Sequence, residues 1–166
     1  LSGDTAVHSD MLMWHSEDSV ENAARQLLNV FFAVPQISVR PDRVPEAHRA
    51  MLRHYLALME QLQGVLTAPL RAEAPHLLYP LVRARKDDTE VIVCYDADRV
   101  VRLSDAARTY VFNATGAEKL LLHGTNVVYR VYDCLGREEK RGETAQAYAE
   151  AAIPSGGYAV LKTEGR

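Results

Sequence analysis

The first third of the chain alternates short apolar segments with amphipathic stretches. Residues 5–8 resemble the end of a strand, and apolar side chains then recur every three or four positions over about 18–33. Asp18 and Glu21 fit a capping box at the start of this stretch, and Pro35 ends it. The pattern therefore predicts a strand followed by a helix with one buried face.

A second strand and a second helix are predicted next. Ile37 and Val39 favour a short buried strand that ends at Pro41. Pro45 suits the first turn of a helix, apolar positions again follow helical spacing, and Gly64 is the predicted stop.

This order of strand, helix, strand and helix is typical of a parallel α/β unit, which we assign to residues 1–66. We expect segments 5–12 and 34–39 to pair in parallel, joined by the first helix in a right-handed crossover. Residues 67–79 hold prolines and show no periodicity, so we interpret them as a linker.

Beyond the linker the period changes to two, which predicts an antiparallel β-sandwich over residues 80–166. The charged run 137–141 between two glycines is interpreted as a loop, with residues 138–141 as its solvated hairpin tip. Segment 143–152 fits either a short helix or an irregular strand. The predicted strands cover residues 81–85, 90–95, 99–103, 110–113, 119–123, 127–133 and 158–163.

Composition excludes several functional classes. The formal net charge is −3 and the basic residues are dispersed, which argues against nucleic acid as the main partner. No apolar run reaches the roughly 18 residues of a membrane helix, so we expect no membrane partner. The first residues lack the layout of a signal peptide. The compartment stays open, with the bacterial cytoplasm favoured.

No cofactor or metal is expected. Cys94 and Cys134 lack the spacing of a zinc site, and we interpret both as reduced core thiols in strands. His48 and His54 lie six residues apart on the second predicted helix, too far round it to share a ligand, and are interpreted as surface or packing residues.

Candidate chemistry concentrates in the run from His8 to Trp14. Asp10 is the main candidate, because a carboxylate where a barrel strand ends can accept hydrogen bonds from sugar hydroxyls. The alternative is a turn-forming aspartate. His8 alternates with Asp10, although a lone histidine is more often structural. Met11, Met13 and Trp14 fit either an apolar wall for a sugar ring or core packing.

Alternation along an extended segment is expected to place Met11 and Met13 on one face and Leu12 and Trp14 on the other. Farther along, residues 113–115 form a glycosylation sequon, which matters only in a secreted eukaryotic protein. The sandwich tyrosines fall mostly in predicted strands and are interpreted as structural; they are Tyr95, Tyr110, Tyr129, Tyr132, Tyr148 and Tyr158.

The run Ser9-Asp10-Met11-Leu12, the following helix and the entry Ala33-Val34-Pro35 into the second strand resemble the late barrel of melibiase-type α-galactosidases. These enzymes form glycoside hydrolase families twenty-seven and thirty-six of clan D. The amino-acid sequence from His8 to Trp14 is more similar to family thirty-six. The resemblance implies the last two strand–helix units of a (β/α)₈ TIM barrel, followed by a C-terminal antiparallel β-sandwich.

The same resemblance implies a retaining hydrolase that cleaves terminal α-galactosides or other oligosaccharides with two carboxylates about 5–5.5 Å apart. In the clan these follow barrel strands four and six, so we expect nucleophile and acid/base upstream of Leu1 and no catalytic residue in this chain. Asp10, Met11 and, more weakly, His8 are then expected to bind substrate.

Two hypotheses of other classes stay open. The β-rich part could be a non-catalytic carbohydrate-binding or scaffolding module. The chain could also serve as an oligomerisation element, because family members often form homo-oligomers and open strand edges are reactive.

Overall fold

The computed structural model describes residues 7–163. Two α-helices lie in this range, α1 (Val20–Leu28) and α2 (Glu46–Leu66), with 3-10 turns at Pro41–Arg43 and Pro75–Leu77. The strands of this range are β1 (His8–Leu12), β2 (Val34–Ile37), β3 (Leu70–Glu73), β4 (Leu81–Lys86), β5 (Thr89–Cys94), β6 (Val100–Arg102), β7 (Arg108–Asn113), β8 (Leu120–His123), β9 (Val127–Tyr132), β10 (Glu138–Thr144), β11 (Tyr148–Ala151) and β12 (Tyr158–Thr163).

The parallel pairing of the first two strands is confirmed. β1 and β2 form a two-stranded parallel sheet in which Met11 lies opposite Gln36 and Leu12 opposite Ile37. The predicted strand end at residues 5–8 lies partly outside the described residues, and the observed strand continues four residues past His8. Within residues 7–163 this pair does not extend into a barrel.

Both helices form where predicted, with shifted ends. Ser19, and not Asp18, caps α1, because its side chain accepts the backbone N–H of Asn22. The helix stops at Leu28 although the apolar spacing continues to Phe31, since the backbone tightens there into i→i+3 hydrogen bonds. The second helix runs past Gly64 to Leu66.

The β-rich region consists of two sheets, one of seven strands in the order β10-β9-β12-β7-β5-β4-β3 and one of three in the order β11-β8-β6. The prediction of purely antiparallel sheets is wrong, because β5 pairs with β7 and β6 with β8 in parallel. The chain crosses from one sheet to the other at each step from β5 to β8. As a result, β7 runs in the same direction as β5 in the larger sheet, and β8 runs in the same direction as β6 in the smaller one.

The hairpin tip predicted from the charged run is wrong, because the turn comes earlier in the chain. Residues 138–141 are not a hairpin tip but belong to β10, an edge strand whose exposed charges discourage pairing with other chains. The tip is the preceding turn, where Asp133 Oδ1 accepts the N–H groups of Leu135 and Arg137, each at 2.8 Å. The undecided segment 143–152 holds the end of β10 and all of β11, and the predicted linker contains β3.

The seven-stranded sheet is covered on both faces. Tyr110 and Phe112 of β7 belong to one buried cluster with α1 and α2, whereas Val111 between them belongs to a second cluster shared with the three-stranded sheet. The central strand β5 is therefore buried continuously from residue 90 to residue 94, without alternation.

His54 of α2 lies where the helix meets the turn between β9 and β10. Its ring stacks on that of Tyr158, with centroids 5.7 Å apart, and Gly136 passes so close that a Cβ there would clash with the imidazole. Within the described part of the chain, the buried Nε2 atom has no hydrogen-bond partner. Burial lowers the pKa of His54, and the nearby Asp133 carboxylate opposes this only in part.

We expect this histidine to make stability depend on pH. Because its pKa is lower folded than unfolded, the unfolded chain binds more protons as the pH falls below about 6.5. The free energy of unfolding should therefore decline from pH 7.5 to pH 5.5. Urea titrations should show a shallower decline for His54→Phe, which keeps the stacked ring without a titrating nitrogen. Equal slopes for both proteins would contradict the assignment.

Candidate functional site

The candidate residues occupy the irregular part of β1. The register with β2 breaks between His8 and Met11, and the Ser9 hydroxyl bridges the break. It accepts the N–H of Gln36 at 2.9 Å and donates to the Asp10 carbonyl at 2.8 Å. The Asp10 carboxylate is exposed and accepts the N–H of Met11 at 2.8 Å, so its remaining lone pairs face solvent.

The predicted division of faces is confirmed. Met11 and Met13 are 62% and 68% exposed, whereas Leu12 and Trp14 are buried in the cluster that contains the helices. Trp14 is therefore a core residue and does not share a wall with the two methionines. His8 and Asp10 are exposed as well, so all three candidate binding residues are accessible.

A buried histidine anchors the segment that follows β1. His48 of α2 is 2% exposed, and its Nδ1 accepts the indole N–H of Trp14 at 3.2 Å. The proton must then lie on Nε2, which donates to the carbonyl of Asp18 at 3.0 Å. His48 is thus a packing residue that ties the loop 14–18 to the second helix. Its sequence signal, one histidine on an apolar helical face, does not reveal these partners.

Two of the clefts formed by residues 7–163 lie in the β-rich region, and neither includes the candidate residues of β1. The larger encloses about 410 Å³ and is lined by Pro69, Arg71, Arg83, Arg85, Glu90 and Ser104. Glu90 is buried and accepts the Ser104 hydroxyl at 2.7 Å, while Arg83 contacts it at 3.4 Å and reaches Glu73 at 2.7 Å. Because the arginine and glutamate side chains in this cleft pair with one another, we interpret them as a structural ion-pair network.

The second cleft, of about 350 Å³, lies between the sheets and is walled largely by apolar side chains such as Leu103, Leu122 and Leu161. Among residues 7–163, no group of three or more histidine, cysteine or acidic side chains has the geometry to hold a metal ion. No helix of this range is long and apolar enough to cross a membrane.

Both cysteines are free and buried, as predicted, although Cys134 lies in the turn after β9 and not in a strand. Burial raises the pKa of Cys94 to about 11 and that of Cys134 to about 12. Both thiols therefore stay protonated at neutral pH, which makes them poor nucleophiles.

The sequon at residues 113–115 is a buried structural motif. Asn113 is 0% exposed, and its amide donates to the carbonyls of Ala117 and Ile153. Its side-chain oxygen accepts from the backbone N–H and the hydroxyl of Thr115. A side chain in this position is inaccessible to glycosylation in the folded protein.

One tyrosine departs from the structural interpretation. Tyr148 is 56% exposed on β11, and the others of that set are buried or half-buried. Alternation alone could not identify it, because β11 lies in the segment whose secondary structure the sequence left undecided. In comparisons with protein-family models, curated proteins and solved structures, the chain matched none.

Proposed function

We propose that this chain is the C-terminal part of a retaining glycoside hydrolase of the α-galactosidase type. In this proposal residues 1–66 supply the last two strand–helix units of the catalytic barrel. The proposal rests on the motif resemblance, and the observation that carries it is the parallel β1–β2 pair joined by α1 and followed by α2.

The exposure pattern of the pair supports this role. Parallel strands are normally covered on both faces, yet here only the face of Leu12 and Trp14 lies against helices. Met11, Met13 and Val34 are exposed large apolar residues. In a barrel they would face the interior or neighbouring strands, and the carboxyl end of β1 would lie at the mouth, where barrel enzymes bind substrate.

Asp10 and Met11 then bind the sugar, and His8 lies beside them. Asp10 has free acceptor positions for hydroxyl groups, and Met11 offers a soft apolar surface to a ring face. Neither group attacks the glycosidic bond, because retention needs a pair of carboxylates that this proposal places in the upstream strands.

The proposal is tested first on the chain alone. Purified residues 1–166 are expected to leave an aryl α-galactoside intact, and turnover by this chain would contradict the proposal. The protein encoded by the whole gene should contain an upstream barrel with aspartates after strands four and six, and should release product with retained configuration.

In that whole protein, Asp10→Asn should raise KM about tenfold while kcat changes little, since one charge-assisted hydrogen bond to substrate is weakened. Asp98→Asn, at an exposed turn of the β-rich region, is the matched control and should leave both constants unchanged. A loss confined to kcat would assign Asp10 a role in the chemical step instead.

A further inference from the structure

One face of the three-stranded sheet holds no member of either buried cluster found in residues 7–163. Leu120 and Leu122 of β8, Val101 of β6 and Ala151 of β11 are buried in the cluster between the two sheets. Successive side chains of a strand point to opposite faces, so their neighbours along the same strands point away from the core. This outward surface contains Tyr148, His123 and Arg102.

These three residues form one row across the strands. Tyr148 lies opposite His123 in the antiparallel β11–β8 pair, and His123 lies opposite Arg102 in the parallel β6–β8 pair. The rings of Tyr148 and His123 are in contact, with centroids 4.5 Å apart and planes tilted by 46°. Since neighbouring strands lie about 4.8 Å apart, the row spans roughly 10 Å, which a disaccharide unit can cover.

The charge of this face is unbalanced at one end of the row. The exposed guanidinium of Arg102 has no hydrogen bond or ion pair with any residue in 7–163. Beside this row, the charges of Lys119 and Glu150 pair with each other at 2.8 Å. The row therefore combines an aromatic surface with one free cation.

We propose that the row Tyr148–His123–Arg102 is a binding site for an oligosaccharide that carries a carboxylate. The C–H face of a pyranose ring packs on the electron-rich face of Tyr148, which His123 holds in place. The planar fork of Arg102 matches the two oxygens of a sugar carboxylate. A single free arginine supplies too little positive charge for a nucleic acid backbone. This site is separate from β1 and does not depend on the proposed hydrolase activity.

The test is a titration of the whole 166-residue chain with trigalacturonic acid, followed by NMR and calorimetry. Saturable binding is expected, with shift changes centred on β8 and β11. Tyr148→Ala and Arg102→Gln should each weaken it at least about tenfold. The fully methyl-esterified trimer should bind more weakly than the acid, and Arg102→Gln should remove that difference. This last readout separates recognition of the carboxylate from a structural effect.

Matched controls come from other surfaces of the molecule. Tyr79→Ala removes an exposed tyrosine from the loop before β4, and Arg71→Gln removes an exposed arginine that lines the charged cleft. Both should bind like the parent chain. The proposal is overturned if trigalacturonic acid shows no saturable binding, if its ester binds equally well, or if the control variants lose as much affinity as the row variants.

Discussion

Replacing Asn113 by alanine is expected to lower the free energy of unfolding by about 3–5 kcal/mol. This side chain is fully buried at the end of β7 and uses its whole hydrogen-bonding capacity. It donates to Ala117 and Ile153 at 2.7 and 2.8 Å and accepts twice from Thr115, at 3.0 and 2.6 Å. Alanine leaves these partners unsatisfied, and each such buried group costs about 1–3 kcal/mol.

Urea denaturation followed by circular dichroism measures this loss. The slope against urea should stay near the parent value, because the surface exposed on unfolding hardly changes. Asn29→Ala is the control, since Asn29 is exposed after α1 at an ordinary helical φ of −63°. Its effect should stay within about 0.5 kcal/mol. Comparable losses in the two variants would show that the buried network is not what stabilises this region.

The local sequence pattern was sufficient to predict the bounds of most strands and the faces of their side chains. The bounds of β12 were predicted to the residue, and those of β4, β8 and β9 within one, because apolar alternation and turn residues are local signals. The faces of Met11 and Leu12 followed from the same alternation. The sugar ligand of Met11 stays a prediction, because alternation assigns a side chain to a face and carries no information about what binds there.

Several features that depend on distant parts of the chain could not be predicted. The parallel pairs β5–β7 and β6–β8 arise because the chain alternates between two sheets. The sequences of these four strands contain no signal that identifies the strand with which each one pairs. The charged run in β10 has the composition of a loop, yet its position at the sheet edge makes exposed charges compatible with a strand. The partners of His48 come from a loop thirty or more positions away.

Phe112→Ala is expected to destabilise the protein by about 3–5 kcal/mol, the range for truncating a fully buried aromatic side chain. Phe112 is 0% exposed, and its ring centroid lies 4.5 Å from that of Phe31 and 5.2 Å from that of Tyr158. Truncation opens a cavity where the helical layer contacts the seven-stranded sheet. Phe32→Ala is the matched control, because Phe32 is only half-buried and should cost less than half as much.

The same variant tests whether the helices and the sheets unfold together. Trp14, the one tryptophan of the sequence, reports on the helical layer through its fluorescence, while far-ultraviolet circular dichroism follows the whole chain. Because Phe112 shares one core with α1, α2 and the sheet, both signals should shift to lower urea by the same amount. A fluorescence transition that stays in place while the dichroism shifts would mean that the helical layer is stable without this contact.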